Sequence, residues 1–208
     1  MNDLRVASFG NRDKRDVALT FDDGPNPYAT LKILDLLDSF GVKATFFVVG
    51  RRCAEFPEIL REIARRGHLI GNHTFSHGKG DFEKCDIEIS RIVGKKSGYV
   101  RPPFYDVSFC DEEKAYLRNA LIIMGDVDSR DYLDISAQEV TDTVLAQVRA
   151  GSIIDFHDGS ENDADLETRA QKTIGALPSI ITRLHDQFAL VRIDEMDLQF
   201  TPPETLQR

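Results

Sequence analysis

Val17-Ala18-Leu19-Thr20-Phe21 runs directly into Asp22-Asp23-Gly24-Pro25. The apolar run reads as a short buried strand. Gly24-Pro25 stops that strand and turns the chain. Asp22 and Asp23 therefore stand side by side at a strand end. Two like charges there are costly unless a cation lies close by. The alternative for four such residues is a polar turn in which one Asp caps the following segment.

Outward from this point the chain alternates strand and helix. Leu31, Leu34, Leu37 and Phe40 recur at helical spacing, with Gly41 past the helix end. Ala44 to Val49 is a strand, Pro57 to Arg66 a helix with Pro near its start, and His68-Leu69-Ile70 a strand. Ile87 to Val93 reads as a helix and Tyr99-Val100-Arg101 as a strand end before Pro102-Pro103. A helix around Glu112 to Asn119 precedes the strand Leu121 to Met124. Ser136 and Glu139 form a capping box that opens a helix to about Val148. The strand Ser152 to Phe156 and a helical pattern from Leu166 to His185, with a kink expected at Pro178, precede a last strand, Phe188 to Ile193. The tail with Pro202-Pro203 reads as loose. Roughly seven strand–helix units predict an α/β fold, a parallel barrel smaller than the usual eightfold one, with a doubly wound open sheet as the alternative. No linker or repeat divides residues 1–208, so a single domain with a core of about 15–195 is expected.

The reactive side chains fall where such a fold would use them. Asp22 and Asp23, His73 and His77, Arg101, Asp126, Asp128 and Asp131, and His157 and Asp158 each follow a predicted strand. That is the rim on which α/β barrels carry their chemistry. His73 and His77 are four residues apart and can share one face of a helix or tight turn. With a carboxylate from Asp22 or Asp23 they would make a two-His-one-carboxylate metal set with a position left for water. The segment Asp126 to Asp131 is acidic but lacks the EF-hand spacing. His68 and His185 lie off this rim and read as structural.

The totals limit the partners. The 208 residues carry a net charge of −9, which disfavours nucleic acid or an anionic membrane surface. No apolar run is long enough to span a membrane. The N-terminus shows no secretory signal, which predicts a cytoplasmic protein unless a signal has been removed. Cys53, Cys85 and Cys110 are odd in number, follow no zinc pattern and read as free thiols.

Five segments taken together resemble the polysaccharide deacetylase family, the nodulation-factor deacetylase homology domain or carbohydrate esterase family four. They are Thr20 to Pro25, His73 to His77, Arg101 to Phe104, Asp128 to Tyr132 and Asp155 to Asp158. The resemblance implies a distorted (β/α)7 barrel, with parallel strands inside and helices outside, that removes N- or O-acetyl groups from sugars. By that resemblance Asp23, His73 and His77 hold a divalent metal, usually Zn2+, with Co2+ or Ni2+ possible. Asp22 is the general base, held and aimed by Arg101. The Phe104 N–H contributes to an oxyanion site, and His157, paired with Asp131, is the general acid. The implied substrate is an acetylated glycan such as a chito-oligosaccharide or peptidoglycan glycan, and Phe75, Tyr105 and Tyr132 are candidate sugar contacts.

The chain departs from the family pattern at Asp155, where a leucine usually lines the pocket for the acetyl methyl, at Tyr132 in place of tryptophan, and at Phe104 in place of tyrosine. The polar Asp155 keeps open an alternative substrate, a small amide, formamide or cyclic ureide or imide. A non-catalytic carbohydrate-binding barrel is the third reading.

Overall fold

The computed structural model describes residues 4–160 and 166–201. In chain order the elements are β1 (Arg5–Gly10), β2 (Asp16–Asp22), α1 (Ala29–Ser39), β3 (Thr45–Val48), α2 (Gly50–Glu55), α3 (Pro57–Arg65), β4 (Leu69–Asn72), α4 (Phe82–Val93), β5 (Tyr99–Val100), α5 (Lys114–Leu117), β6 (Leu121–Ile123), β7 (Val127–Asp128), α6 (Ala137–Gln147), β8 (Ile153–His157), α7 (Leu166–His185), β9 (Ala189–Val191) and β10 (Leu198–Thr201).

The strands form one sheet in the order β10-β1-β6-β5-β4-β3-β2-β8-β7, with β9 paired in parallel to the first half of β2. Among the described residues every pairing but one is parallel; β10 runs antiparallel to β1. The path does not join β7 back to β10 among the described residues, so the sheet curls into a half-barrel flanked by helices. The expected α/β architecture is present, and it differs from a closed sevenfold barrel in this open seam. The sheet also reaches beyond the anticipated core of about 15–195, because β1 and β10 add an edge pair at both chain ends.

Strand parity sorts the side chains. On β2, Val17, Leu19 and Phe21 enter the outer core shared with the helices, while Ala18 enters a smaller inner core. On β8, Ile154 and Phe156 face outward and Ile153 inward in the same way. The rings of Phe46 and Phe156 stack on Phe21 at 5.0 and 5.7 Å. Each such fully buried ring contributes up to about 3 kcal/mol of hydrophobic stabilisation. The inner core of Ala7, Ala18, Phe47, Ile123, Ile153, Ile193 and Met196 fills the bottom of the half-barrel. Above it the inward positions turn polar: Thr20 and Asp22 on β2, Asp155 and His157 on β8.

Several local signals act as the sequence suggests. Ser136 and Glu139 close a capping box at the start of α6. Pro57 opens α3. Pro178 lies inside α7, which runs for 20 residues. The helix expected over Glu112 to Asn119 is reduced to the single turn of α5. Pro202 and Pro203 lie outside the described residues. The three cysteines are buried and free. His68 is buried and accepts the Ala44 N–H on Nδ1, a structural role.

Candidate active site

The C-terminal ends of β2, β4, β5, β7 and β8 open onto a cavity of about 550 Å³. Asp22, Asp23, His73, His77, Phe104, Tyr105, Asp128, Asp131, Tyr132, Asp155 and His157 all line it. The backbone around this rim is unusual. Asp23, Thr74, His77, Phe104, Tyr105 and Arg130 all have positive φ, between 56° and 76°. Such conformations cost roughly 1–3 kcal/mol each in non-glycine residues and persist where surrounding contacts hold them.

The loop after β2 is held from β8. The Asp158 N–H donates to the Asp22 carbonyl at 3.0 Å, the Gly24 N–H donates to Asp158 Oδ1 at 3.1 Å, and the Thr30 hydroxyl to Oδ2 at 2.5 Å. Burial, resisted by the Thr30 bond, raises the Asp158 carboxyl to about 7. Gly159 lies so close to Asp23 that a Cβ there would stand 2.3 Å from its backbone. No side chain fits at that position without moving Asp23.

Asp23, His73 and His77 present donor atoms that all lie within 4.8 Å of one another. His73 Nε2 and His77 Nε2 are 3.5 and 3.2 Å from Asp23 Oδ1. The two histidines do not share a helix, as their spacing allowed. They sit in an irregular loop after β4, and the left-handed Thr74 and His77 bring the rings to 5.0 Å. The donor set fits a cation. His73 Nδ1 faces the Arg101 carbonyl at 2.8 Å, and a carbonyl can only accept, so Nδ1 carries the proton and Nε2 turns its lone pair toward Asp23. Asp23 Oδ1 is buried and accepts no hydrogen bond of good geometry. Burial alone would raise the Asp23 carboxyl, but positive charge beside it, from the imidazoles when protonated, His73 foremost, or from a cation in the proton's place, holds it well below the usual carboxylate range.

Behind this set Arg101 is fully buried. Its Nη1 donates to Asp22 Oδ1 and Thr20 Oγ1, both at 2.8 Å, and to Asp155 Oδ1 at 3.1 Å. Nε and Nη2 donate to the Ile123 and Met124 carbonyls, and the guanidinium carbon stands 4.1 Å from the centre of the Phe47 ring. Asp22 is thereby fixed with Oδ2 3.8 Å from His73 Nε2. On β8, in register with Asp22 of the neighbouring β2, His157 carries Nδ1 2.7 Å from Asp131 Oδ1. Asp131 Oδ2 accepts the His157 backbone N–H at 2.9 Å and the Thr173 hydroxyl at 2.6 Å. Burial opposes charge on His157, but the Asp131 carboxylate outweighs it and lifts the imidazole well above its ordinary range. Asp131 itself, despite burial, is held low by that imidazole.

The match of residues 9–116 to the polysaccharide deacetylase family model decides the kinship. The chain belongs to the polysaccharide deacetylase family. A peptidoglycan-N-acetylglucosamine deacetylase of Bacillus cereus is 36% identical over 188 residues, covering 86% of this chain and 66% of that protein. The chain thus spans just under two thirds of that relative's length. A chitooligosaccharide deacetylase of Sinorhizobium fredii is 35% identical over 205 residues, covering 91% of this chain and 94% of that one. A crystal structure of a peptidoglycan N-acetylglucosamine deacetylase superposes with a TM-score of 0.83 at 34% identity, over 92% of both chains. The family is metal-dependent, and the Asp23, His73 and His77 cluster is a candidate site for the ion.

The family's five segments converge on one cavity, and the remaining expected contacts divide. Phe104 is 70% exposed at the rim, with its ring 4.8 Å from His77. Tyr132 stands edge-on to His157 at 5.5 Å, its hydroxyl donating to Asp128 at 2.9 Å. Tyr105 and Asp155 lie deeper in the cavity wall. Phe75, expected to touch sugar, does not line this cavity. Its ring packs against the outer core beneath the Lys84 ammonium, because the loop after β4 turns its side chain away from the mouth. Asp126 is likewise structural, pairing with Arg12 at 2.7 Å and accepting the Ile153 N–H. Thr173 and Gly159 support the site and carry no mark in the sequence reading, and Asp158, placed there on the rim, has the structural task of holding the loop after β2. Thr173 comes from the middle of α7, where nothing in the local pattern sets it apart, whereas Gly159 directly follows His157 and Asp158. Among the described residues no helix is long and apolar enough to cross a membrane.

Proposed function

We propose that this chain, as a single catalytic domain, hydrolyses the N-acyl amide of an amino sugar in a chito-oligosaccharide or peptidoglycan glycan. Asp23, His73 and His77 hold a divalent cation, most simply Zn2+ given two imidazoles and one carboxylate. When bound, that cation supplies Lewis acidity toward the amide carbonyl and lowers the pKa of water. The observation that carries the reading is the convergence of three parts on one cavity: the three-donor cluster, an Asp22 carboxylate locked by a buried arginine, and a charged His157–Asp131 pair on the neighbouring strand.

Each part has its own task. Asp22 is aimed by Arg101 and accepts a proton from the attacking water. The Phe104 backbone N–H, at the rim beside His77, serves as a dipole for the developing oxyanion. His157, kept as imidazolium by Asp131, donates its Nε2 proton to the departing amine, which is too basic to leave without it. Asp131 is a positioning residue and also fixes the tautomer. Phe104 and Tyr132 flank the mouth as apolar faces for pyranose rings.

The test is acetate release from N-acetyl-chito-oligosaccharides and peptidoglycan glycan by metal-loaded protein. Turnover is expected to vanish with a chelator, to return with Zn2+, Co2+ or Ni2+, and to be lost in Asp22→Ala. Turnover indifferent to chelation would overturn the metal reading, and full activity in Asp22→Ala would remove the base assignment.

A further inference from the structure

Two polar groups in the cavity wall have no task in the steps above. Asp155 is 4% exposed and sits on β8 two residues before His157, on the same inward face and one step deeper. Its Oδ1 shares one nitrogen of Arg101 with Asp22 and Thr20. Beside it lies the Tyr105 hydroxyl, buried and within reach of the Asp155 carboxylate as its acceptor, though the two do not meet in full hydrogen-bonding geometry. Room for that hydroxyl comes from Gly125, where a Cβ would stand 2.7 Å from the Tyr105 oxygen and 3.6 Å from Asp155 Cβ. Buried polar groups of this kind are costly to press against an apolar ligand. Together they make a polar floor beneath Asp22 and His157, which stand in register on neighbouring strands.

The substrate has a fixed direction over that floor. The sugar on the amine side is bulky and needs the open mouth, near Phe104 and Tyr132. The amine nitrogen must reach His157. The remaining substituent of the carbonyl carbon, the acyl tail, is then directed inward at Asp155 and Tyr105. A methyl there would strip water from both groups and return no hydrogen bond. An ammonium would meet Asp155 but also the Arg101 guanidinium, whose Nη1 already stands 3.1 Å from that carboxylate. A hydroxyl serves both, donating to the carboxylate and accepting from the phenol.

Resting on the amide-hydrolase reading, we propose that the acyl group this site selects carries a terminal hydroxyl, as in a hydroxyacetyl (glycolyl) amide of an amino sugar, with Asp155 and Tyr105 as the specificity-determining pair. The reaction balances as an ordinary amide hydrolysis: water adds to the carbonyl carbon, the C–N bond breaks, and hydroxyacetate and a protonated amine leave.

The test compares kcat/KM for N-hydroxyacetyl and N-acetyl chitotetraose with the metal-loaded full chain. The wild type is expected to favour the hydroxyacetyl substrate by about 10- to 100-fold, the range for a site whose buried polar groups would otherwise go unpaired. Asp155→Leu is expected to reverse the order and Tyr105→Phe to shrink the preference several-fold. Product inhibition of the wild type needs no variant and covers the case in which Asp155→Leu fails to fold: hydroxyacetate should inhibit at lower concentration than acetate. Equal or faster acetyl turnover, with equal inhibition by the two acids, overturns the proposal and leaves the hydrolase reading standing. No release of either acyl group overturns both.

Discussion

Asp131→Asn keeps the shape of the side chain facing His157 and removes its charge. In the native site the carboxylate takes the imidazole Nδ1–H at 2.7 Å, the His157 backbone N–H at 2.9 Å and the Thr173 hydroxyl at 2.6 Å. It is 1% exposed, so solvent screens its pull on the imidazolium very little. Burial by itself pushes the His157 pKa down, and Asp131 is the largest opposing influence. The asparagine variant keeps the burial and loses that attraction, so the imidazole should fall toward or below its ordinary value of about 6.5. At pH 8.5 a group of pKa about 6.5 is only about 1% protonated, so proton donation to the leaving amine should drop about 100-fold, against only a few-fold at pH 6.

The assay is kcat/KM against pH, in which the basic limb should move to lower pH. Stability follows with a fixed sign. The raised His157 contributes stability that is complete below about 6.5 and lost as pH rises through its folded pKa. The lowered Asp131 contributes stability present above about 3.9 and lost as pH falls through its folded pKa. The variant's deficit in urea unfolding should therefore be greatest near neutrality. It should be about 2–3 kcal/mol, below the usual cost of breaking a buried pair because His157 is partly exposed. A variant whose basic limb coincides with the wild type's, with activity lowered equally at all pH values, would refute the acid assignment.

Replacing Arg101 with Met should leave two buried carboxylates without their cation and cost about 3–5 kcal/mol, read as a lowered urea midpoint together with loss of turnover. Arg101→Lys should recover little, since an ammonium cannot span Asp22, Asp155 and the Ile123 and Met124 carbonyls at once; substantial recovery would argue against that geometry. His77→Ala should weaken Zn2+ binding by at least about 100-fold in calorimetry while leaving far-UV circular dichroism unchanged, and unaltered affinity would exclude it as a ligand. Gly159→Ala should displace Asp23 and lower both metal occupancy and activity, because the clash is with backbone that cannot rotate away. A fully loaded, fully active Gly159→Ala protein would contradict the packing described.

Sequence alone determined much of this protein. The alternation at Val17 to Phe21, the Gly-Pro stop and the repeated strand–helix order followed from side-chain size and backbone preference, which act over a few residues. The clustering of Asp22, Asp23, His73, His77, Arg101, Asp131 and His157 after strands was legible because strand ends are fixed by the same local signals. The edge pair of β1 and β10 was not, since its partners lie almost two hundred residues apart and Arg5 to Gly10 carries no turn or cap to mark it. The open seam, the outward turn of Phe75, the grip of Thr173 on Asp131 and the two carboxylates sharing one arginine nitrogen were likewise hidden. Each depends on which surfaces meet after the sheet has curled, and that is settled by packing between distant segments rather than by any residue's own preference. Local chemistry fixed which groups the site contains; only the tertiary structure decided their distances, setting Asp22 and Asp155 on one nitrogen of Arg101 and Asp23 beside His73 and His77.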